Sequence, residues 1–142
     1  MDEALNKWLQ AVRNFDHFFE LAIVENQEEI LDSNIAQLKQ GKDSLGNFLM
    51  EYASDAYAQF KKALGSQAPF GIPDLLLEGD FHEGFTLMRG SGGLFITSTD
   101  EKAAHLESKY GSYIFGIAED QQKELNPGIA ESFIKYFRYG LL

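Results

Sequence analysis

Apolar residues recur every three or four positions along the first part of the chain, which is the spacing of an amphipathic helix. The pattern predicts one long helix from Glu3 to about Glu29. Its largest apolar residues form a line that we call the N-terminal stripe: Leu5, Trp8, Val12, Phe15 and Phe19. Leaving such side chains in water forgoes about 1.5–3 kcal/mol each, so we expect the stripe to be buried. The covering surface is either the sheet of the same domain or a neighbouring subunit.

Turn-forming residues follow at 32–34 and again between Gly41 and Gly46, so a short helical turn and then a loop are predicted there. A second helix is predicted over about 52–64, with Gly65 as the residue that ends it. Its predicted buried side carries Tyr52, Ala56, Phe60 and Ala63. The next stretch, GSQAPFGIP, has the composition of a loop.

A β-hairpin is predicted over about 81–98, because two segments rich in β-forming residues flank the turn sequence RGSGG. Asp100 then begins a short helix that Gly111 can end. The segment SYIFGI is compatible with a strand or a buried loop. The last helix is predicted over about 127–139, with Pro127 in its first turn and an apolar side. That side contains Ile129, Phe133, Ile134 and Phe137.

These elements predict an α+β class, with a long N-terminal amphipathic helix and a C-terminal helix packed on a small antiparallel sheet. The length of 142 residues fits a single domain covering residues 1–142. The composition, 44% hydrophobic and 13% aromatic, is that of a folded globule with an aromatic-rich core.

Composition also narrows the function. The chain has no cysteine, which excludes disulfides and thiolate chemistry and fits synthesis in the cytoplasm. No segment approaches the roughly 18 continuous apolar residues of a membrane helix, so no membrane association is expected. The net charge of −10 repels nucleic-acid phosphate, and specific DNA binding is therefore disfavoured.

The densest group of chemically interesting residues lies in LLLEGDFHEGF, residues 75–85. Glu78 or Glu83 with His82 would be the natural acid/base pair of a hydrolase. No spacing indicates that these groups converge, and charged residues of this kind commonly protect strand edges from aggregation. We therefore interpret Glu78, Asp80 and Glu83 as surface or interface groups and expect no enzymatic activity.

Other motifs carry less information. Lys42 lies in GKDS, but Ala36 stands where a phosphate-binding loop requires glycine. The GSGG sequence at 90–93 is flanked by β-forming residues on both sides, which favours a hairpin turn over a dinucleotide site. His17, His82 and His105 lack the spacing of a zinc motif. No metal ion and no cofactor are expected.

The order of these signals resembles the tail-completion, or virion-morphogenesis, family of tailed bacteriophages. In that family a tyrosine-rich helix with a lysine precedes a Thr-Gly-Leu step into a strand, and a YA…G segment follows later. The matching positions over roughly residues 35–115 are Tyr52, Tyr57, Ala58, Lys61, Gly79, Phe81, Ala103, Ala104 and Gly111. Glu78 stands where the family has threonine.

The resemblance implies a structural virion protein, made in the host cytoplasm, that forms a homo-oligomeric ring at the head-to-tail junction. Its implied neighbours are an adaptor or connector on one side and a tail-tube or tail-terminator protein on the other. DNA would pass through the lumen without specific binding. Candidate interface residues are Glu78, Asp80, His82, Glu83 and Arg89. The alternative is a small acidic binding or inhibitory protein that mimics nucleic acid.

Overall fold

The computed structural model describes residues 3–76 and 79–140. It confirms the α+β class: helices predominate and the sheet is a two-stranded antiparallel hairpin. The described elements are α1 (Glu3–Arg13), α2 (Phe15–Glu25), α3 (Gln27–Lys39), α4 (Asp55–Ala63), α5 (Asp80–Glu83), β1 (Phe85–Gly90), β2 (Gly93–Ser98), α6 (Ala103–Tyr110), a 3₁₀ turn (Ser112–Ile114) and α7 (Glu119–Gly140).

The chain divides into two compact units. The terminal unit contains the two ends of the chain, up to Glu29 and from Lys123 onward. The central unit is Ile30–Gln122.

The long helix predicted at the N-terminus is present as three helices rather than one, with breaks at Asn14 and Asn26. Asparagine side chains compete with the helical backbone for hydrogen bonds, which makes them natural break points. The Asn26 side-chain amide donates to the Ala22 carbonyl at 2.7 Å and to the Ser132 hydroxyl at 2.9 Å. Neither break was predicted, because the apolar spacing continues through Asn14 and because the residues around Asn26 are mostly strong helix formers.

Within the terminal unit, α7 packs beside the N-terminal helices through aromatic rings. The Phe15 ring stacks at 5.1 Å from that of Phe133 and at 5.3 Å from that of Phe137. On the N-terminal helices, the fully buried positions of this unit are the small residues Ala11 and Ala22. Small side chains permit close approach of helices. The larger apolar residues of these helices therefore lie beside the Ala11 and Ala22 contacts and not within them.

The predicted burial of the N-terminal stripe is therefore wrong for the single chain. Leu5, Trp8, Phe15 and Phe19 are 46%, 49%, 43% and 53% exposed, and Val12 is only partly buried. Phe15 is partly covered by the rings of α7, whereas the rest of the stripe stays largely accessible to solvent.

The central unit has its own core of Leu38, Leu49, Phe81, Phe85 and Ile114. The turn predicted at 32–34 is absent, because α3 continues through it to Lys39. Asn34 is instead a buried bridge: its amide donates to the Ile114 carbonyl at 3.0 Å, and its oxygen accepts from the Gly116 backbone at 2.8 Å. The SYIFGI segment is thus a 3₁₀ turn and a loop held against α3, not a strand.

The hairpin is shorter than predicted. Its strands pair from Phe85↔Ser98 to Gly90↔Gly93, and Gly93 has the positive φ of +109° at the reversal. Residues 80–83 form the helical turn α5 in place of the predicted strand start, with the Glu83 amide donating to the Gly79 carbonyl at 2.9 Å. Continuous β-forming residues begin only at Phe85, which explains the later start.

Two other helices also differ from their predicted limits or faces. α7 begins at Glu119, eight positions before the predicted start, and contains Pro127 in its interior. The intervening EDQQKEL sequence consists largely of strong helix formers, which accounts for the extension. α4 begins at Asp55 rather than at 52. Its buried side carries Ala58 and Lys61, whereas Ala56, Phe60 and Ala63, predicted to be buried, are exposed. The predicted ends at Gly65 and Gly111 are confirmed, with φ of +85° and +95°.

Gly79 enters α5 with φ of +87°, a conformation that costs a residue with a Cβ about 1–2 kcal/mol. An added Cβ would meet only the Glu83 carboxylate at 3.6 Å, so the backbone rather than crowding sets the cost. We expect Gly79→Val to lower the melting temperature by roughly 3–8 °C. Gly79→Asn is the matched control, because asparagine tolerates this region better. Equal melting temperatures for the two variants would show that the torsion is unimportant.

Candidate functional site

A half-enclosed pocket of about 360 Å³ lies within the described part of the central unit. Its walls are α4 with the preceding loop, α6, and the segment from Pro73 to Leu76 together with Gly79. The described residues that line it are Tyr52, Ala53, Ser54, Tyr57, Lys61, Pro73, Asp74, Leu75, Leu76, Gly79, Phe81, Lys102, Leu106, Lys109 and Tyr110.

On each of two walls of the pocket, helical spacing places the lining side chains on one face of the helix. On α4, Tyr57 and Lys61 are four residues apart and therefore lie on one face. Along α6 and the turn before it, Lys102, Leu106 and Lys109 follow the same three-and-four spacing. Each wall thus presents an apolar or aromatic group beside an ammonium group.

A buried ion pair forms one side of the pocket. The Lys61 Nζ lies 2.7 Å from Asp74 Oδ1, and both side chains are less than a tenth exposed. The Ser66 hydroxyl donates to Asp74 Oδ2 at 2.9 Å, and the Leu76 amide donates to Oδ1 at 3.0 Å. Lys61 also donates to the Leu76 carbonyl. Hydrogen bonds therefore compensate the desolvation of both charges, as a buried pair requires.

The backbone beside this pair is strained. Leu75 has φ of +56°, a left-handed conformation that branched and bulky residues seldom adopt. Its neighbours on both sides, Asp74 and Leu76, are the residues bonded to Lys61. The ion pair and its hydrogen bonds hold the chain in this conformation, and strain of this kind is concentrated at functional positions.

The phenol of Tyr52 stays protonated. Burial raises the pKa of Tyr52 well above its usual range, and the nearby carboxylate of Asp74 adds to that effect. The Tyr52 and Tyr57 rings meet edge to face with centroids 4.9 Å apart. The pocket therefore offers the Tyr52 hydroxyl as a hydrogen-bond donor beside an aromatic surface.

The structure separates the predicted interface residues. Asp80, Glu83 and Arg89 are exposed on α5 and β1, and their interface role stays a prediction. Glu78 lies outside the described residues. His82 is only 4% exposed and packs with its ring centroid 5.8 Å from that of Phe81 and 6.0 Å from that of Phe85. It belongs to the interior, and the structure does not place it among the exposed acids as a surface group.

Burial lowers the pKa of His82 to about 4, and Lys39 contributes further repulsion. Neither ring nitrogen has a hydrogen-bond partner among the described residues. Because the folded pKa lies below the ordinary value of 6.5, the unfolded chain binds the proton first as the pH falls. The contribution of neutral His82 to stability is complete above pH 6.5 and is lost progressively toward pH 4.

We expect His82→Leu to reduce the acid sensitivity of the protein. Between about pH 7 and about pH 5, the parent should lose about 2 kcal/mol of unfolding free energy through His82, and the variant should lack that loss. Denaturant unfolding at both pH values measures the difference. His105→Leu, at an exposed position, is the matched control and should behave as the parent. If the free energy of unfolding depended on pH in the same way for the parent and for His82→Leu, His82 would not be the source of the acid sensitivity.

The remaining motifs show no ligand geometry. Lys42 lies over the Phe48 ring at 5.4 Å in an isolated β-bridge, and GSGG forms the hairpin turn. Within residues 3–76 and 79–140, no group of three or more acids and histidines is arranged to hold a metal ion. The same described ranges contain no helix with the length and hydropathy needed to cross a membrane.

Sequence reasoning missed most of the pocket. Tyr52 entered as part of the predicted buried side of the 52–64 helix, Tyr57 and Lys61 entered only through the family resemblance, and Asp74, Lys102 and Lys109 carried no motif. The Tyr57–Lys61 spacing on a short helix was the one available signal. Comparisons with protein-family models, with curated proteins and with solved structures gave no significant match to this chain.

Proposed function

We propose that this chain is a structural virion protein of a tailed bacteriophage. It forms a homo-oligomeric ring at the head-to-tail junction and joins the connector to the tail. The motif order from Tyr52 to Gly111 supports the family, and the exposed N-terminal stripe supports assembly. That stripe is the observation on which the proposal chiefly depends.

The stripe has the composition of a subunit contact. Trp8 and Phe19 are each about half exposed, and aromatic residues of this kind dominate the energy of protein interfaces. Leu5 extends the same line at one end. Trp8 lies on α1 and Phe19 on α2, and monomeric proteins seldom leave several such large apolar groups exposed on neighbouring helices, because covering them is strongly favourable.

The net negative charge of the chain is consistent with a channel through which DNA passes. A net charge of −10 gives the subunit a repulsive field toward phosphate, which disfavours adhesion of a passing duplex. Asp80 and Glu83 are exposed contributors to that field. In a ring they would act at the rim, where charges mainly set the association rate and its salt dependence.

Electron microscopy of the purified chain, alone and mixed with connector-bearing phage heads that lack tails, tests the proposal. We expect closed rings of uniform diameter that attach to the connector vertex. A protein that stays monomeric and binds a basic, nucleic-acid-binding partner instead would support the alternative of an acidic inhibitor and contradict the ring.

A further inference from the structure

We propose that the pocket between α4 and α6 binds a small hydrophobic monocarboxylate, of the size of a one- or two-ring aromatic acid. The inference goes beyond the ring function and does not depend on it. It follows from three observations: the volume and apolar lining of the pocket, its local positive charge, and the tyrosine donors at its wall.

The apolar part of such a ligand has a matching surface. The pocket volume of about 360 Å³ is near the lower end of the range for small-molecule sites. Aromatic and aliphatic side chains line it on several sides, including Tyr57, Phe81, Leu106 and Tyr110. A flat aromatic ring can stack against these groups, and the apolar walls exclude water from it.

The charge of the pocket is opposite to that of the whole protein. Its described lining residues carry three ammonium groups, those of Lys61, Lys102 and Lys109, and one carboxylate, that of Asp74. Lys61 is committed to Asp74, which leaves the ammonium groups of Lys102 and Lys109 to attract a ligand. Lys109 lies over the Tyr110 ring at 5.3 Å, at the pocket wall. In a chain of net charge −10 this concentration of lysines favours an anion.

A carboxylate fits this arrangement better than a phosphate. The lysines attract either anion as point charges, but the apolar walls would give phosphate no matching surface and would penalise its higher charge. The phenol of Tyr52 remains protonated and can donate a hydrogen bond to a carboxylate oxygen. One negative group beside an apolar body is therefore the chemistry that this pocket recognises.

Isothermal titration calorimetry with 1-naphthaleneacetate tests the inference, with its neutral amide, 1-naphthaleneacetamide, and inorganic phosphate as comparison probes. We expect saturable binding of the acid and at least about tenfold weaker binding of the amide and of phosphate, because charge-assisted hydrogen bonds are lost. Absence of saturable binding by the acid, or equal binding of acid and amide, would overturn the proposal.

Variants locate the binding. Lys102→Gln/Lys109→Gln should weaken binding of the acid at least about tenfold, and Leu106→Trp, which fills the pocket, should abolish it. The matched control is Lys62→Gln/Lys123→Gln, which removes the same charge at two exposed positions outside the lining. Circular dichroism confirms that each variant is folded. A loss of affinity as large in the control as in the pocket variant would place the anion elsewhere and overturn the assignment.

Discussion

Replacing Asp74 with alanine should lower the free energy of unfolding by about 3–5 kcal/mol. The substitution leaves the Lys61 ammonium in a site that is almost completely shielded from water, where the Leu76 carbonyl is its one remaining partner among the described residues. It also removes the acceptor for the Ser66 hydroxyl and for the Leu76 amide. Because these bonds hold the strained backbone at Leu75, the pocket wall should loosen as well.

Denaturant unfolding of the parent and the variant measures this effect. Glu107→Ala is the matched control, since it removes one carboxylate from an exposed position on α6 and should change stability by no more than about 0.5 kcal/mol. The double variant Lys61→Met/Asp74→Leu should recover much of the loss, because an apolar pair leaves no unpaired buried charge. An Asp74→Ala protein as stable as the Glu107→Ala protein would show that the pair is not a stabilising feature.

The second large effect concerns assembly. Trp8→Glu/Phe19→Glu should weaken self-association by about a hundredfold to ten-thousandfold, because two large apolar groups per subunit would no longer be buried at the contact. Both positions are about half exposed in the single chain, so the subunit itself should stay folded. Phe15 is left unchanged, since its stacking on Phe133 and Phe137 also contributes to the terminal unit.

Asn6→Glu/Gln10→Glu is the matched control for this variant. It adds the same two negative charges to α1 at exposed polar positions outside the stripe. Light scattering should show dissociation of the stripe variant and retention of the oligomer by the control. Equal weakening of both would indicate that charge, and not the apolar stripe, determines the association.

Hydrophobic spacing and turn residues were sufficient to predict the fold class, the C-terminal ends of α4 and α6 at Gly65 and Gly111, and the central part of the hairpin. They were insufficient where a polar residue is buried and bonds to a distant part of the chain. Asn34 looks like a turn former but bridges α3 to the 114–116 loop, and Lys61 looks like a surface residue but forms a buried ion pair. A single sequence does not reveal such partners, because they lie 80 and 13 positions away along the chain.

The prediction that the N-terminal stripe is buried was wrong for a related reason. Amphipathic spacing identifies an apolar face but does not identify what covers it. The terminal unit uses its small residues, Ala11 and Ala22, for its close packing, and the larger side chains stay at the surface. The candidate pocket was equally beyond prediction, since its walls come from three segments that only the folded chain brings together.

The mass of the unmodified protein in solution tests the central claim most directly. Sedimentation equilibrium should give a single species whose mass is a fixed multiple of the 16.0 kDa chain, unchanged over a wide range of concentration, as a closed ring requires. A mass of 16.0 kDa at every concentration would contradict the proposed assembly.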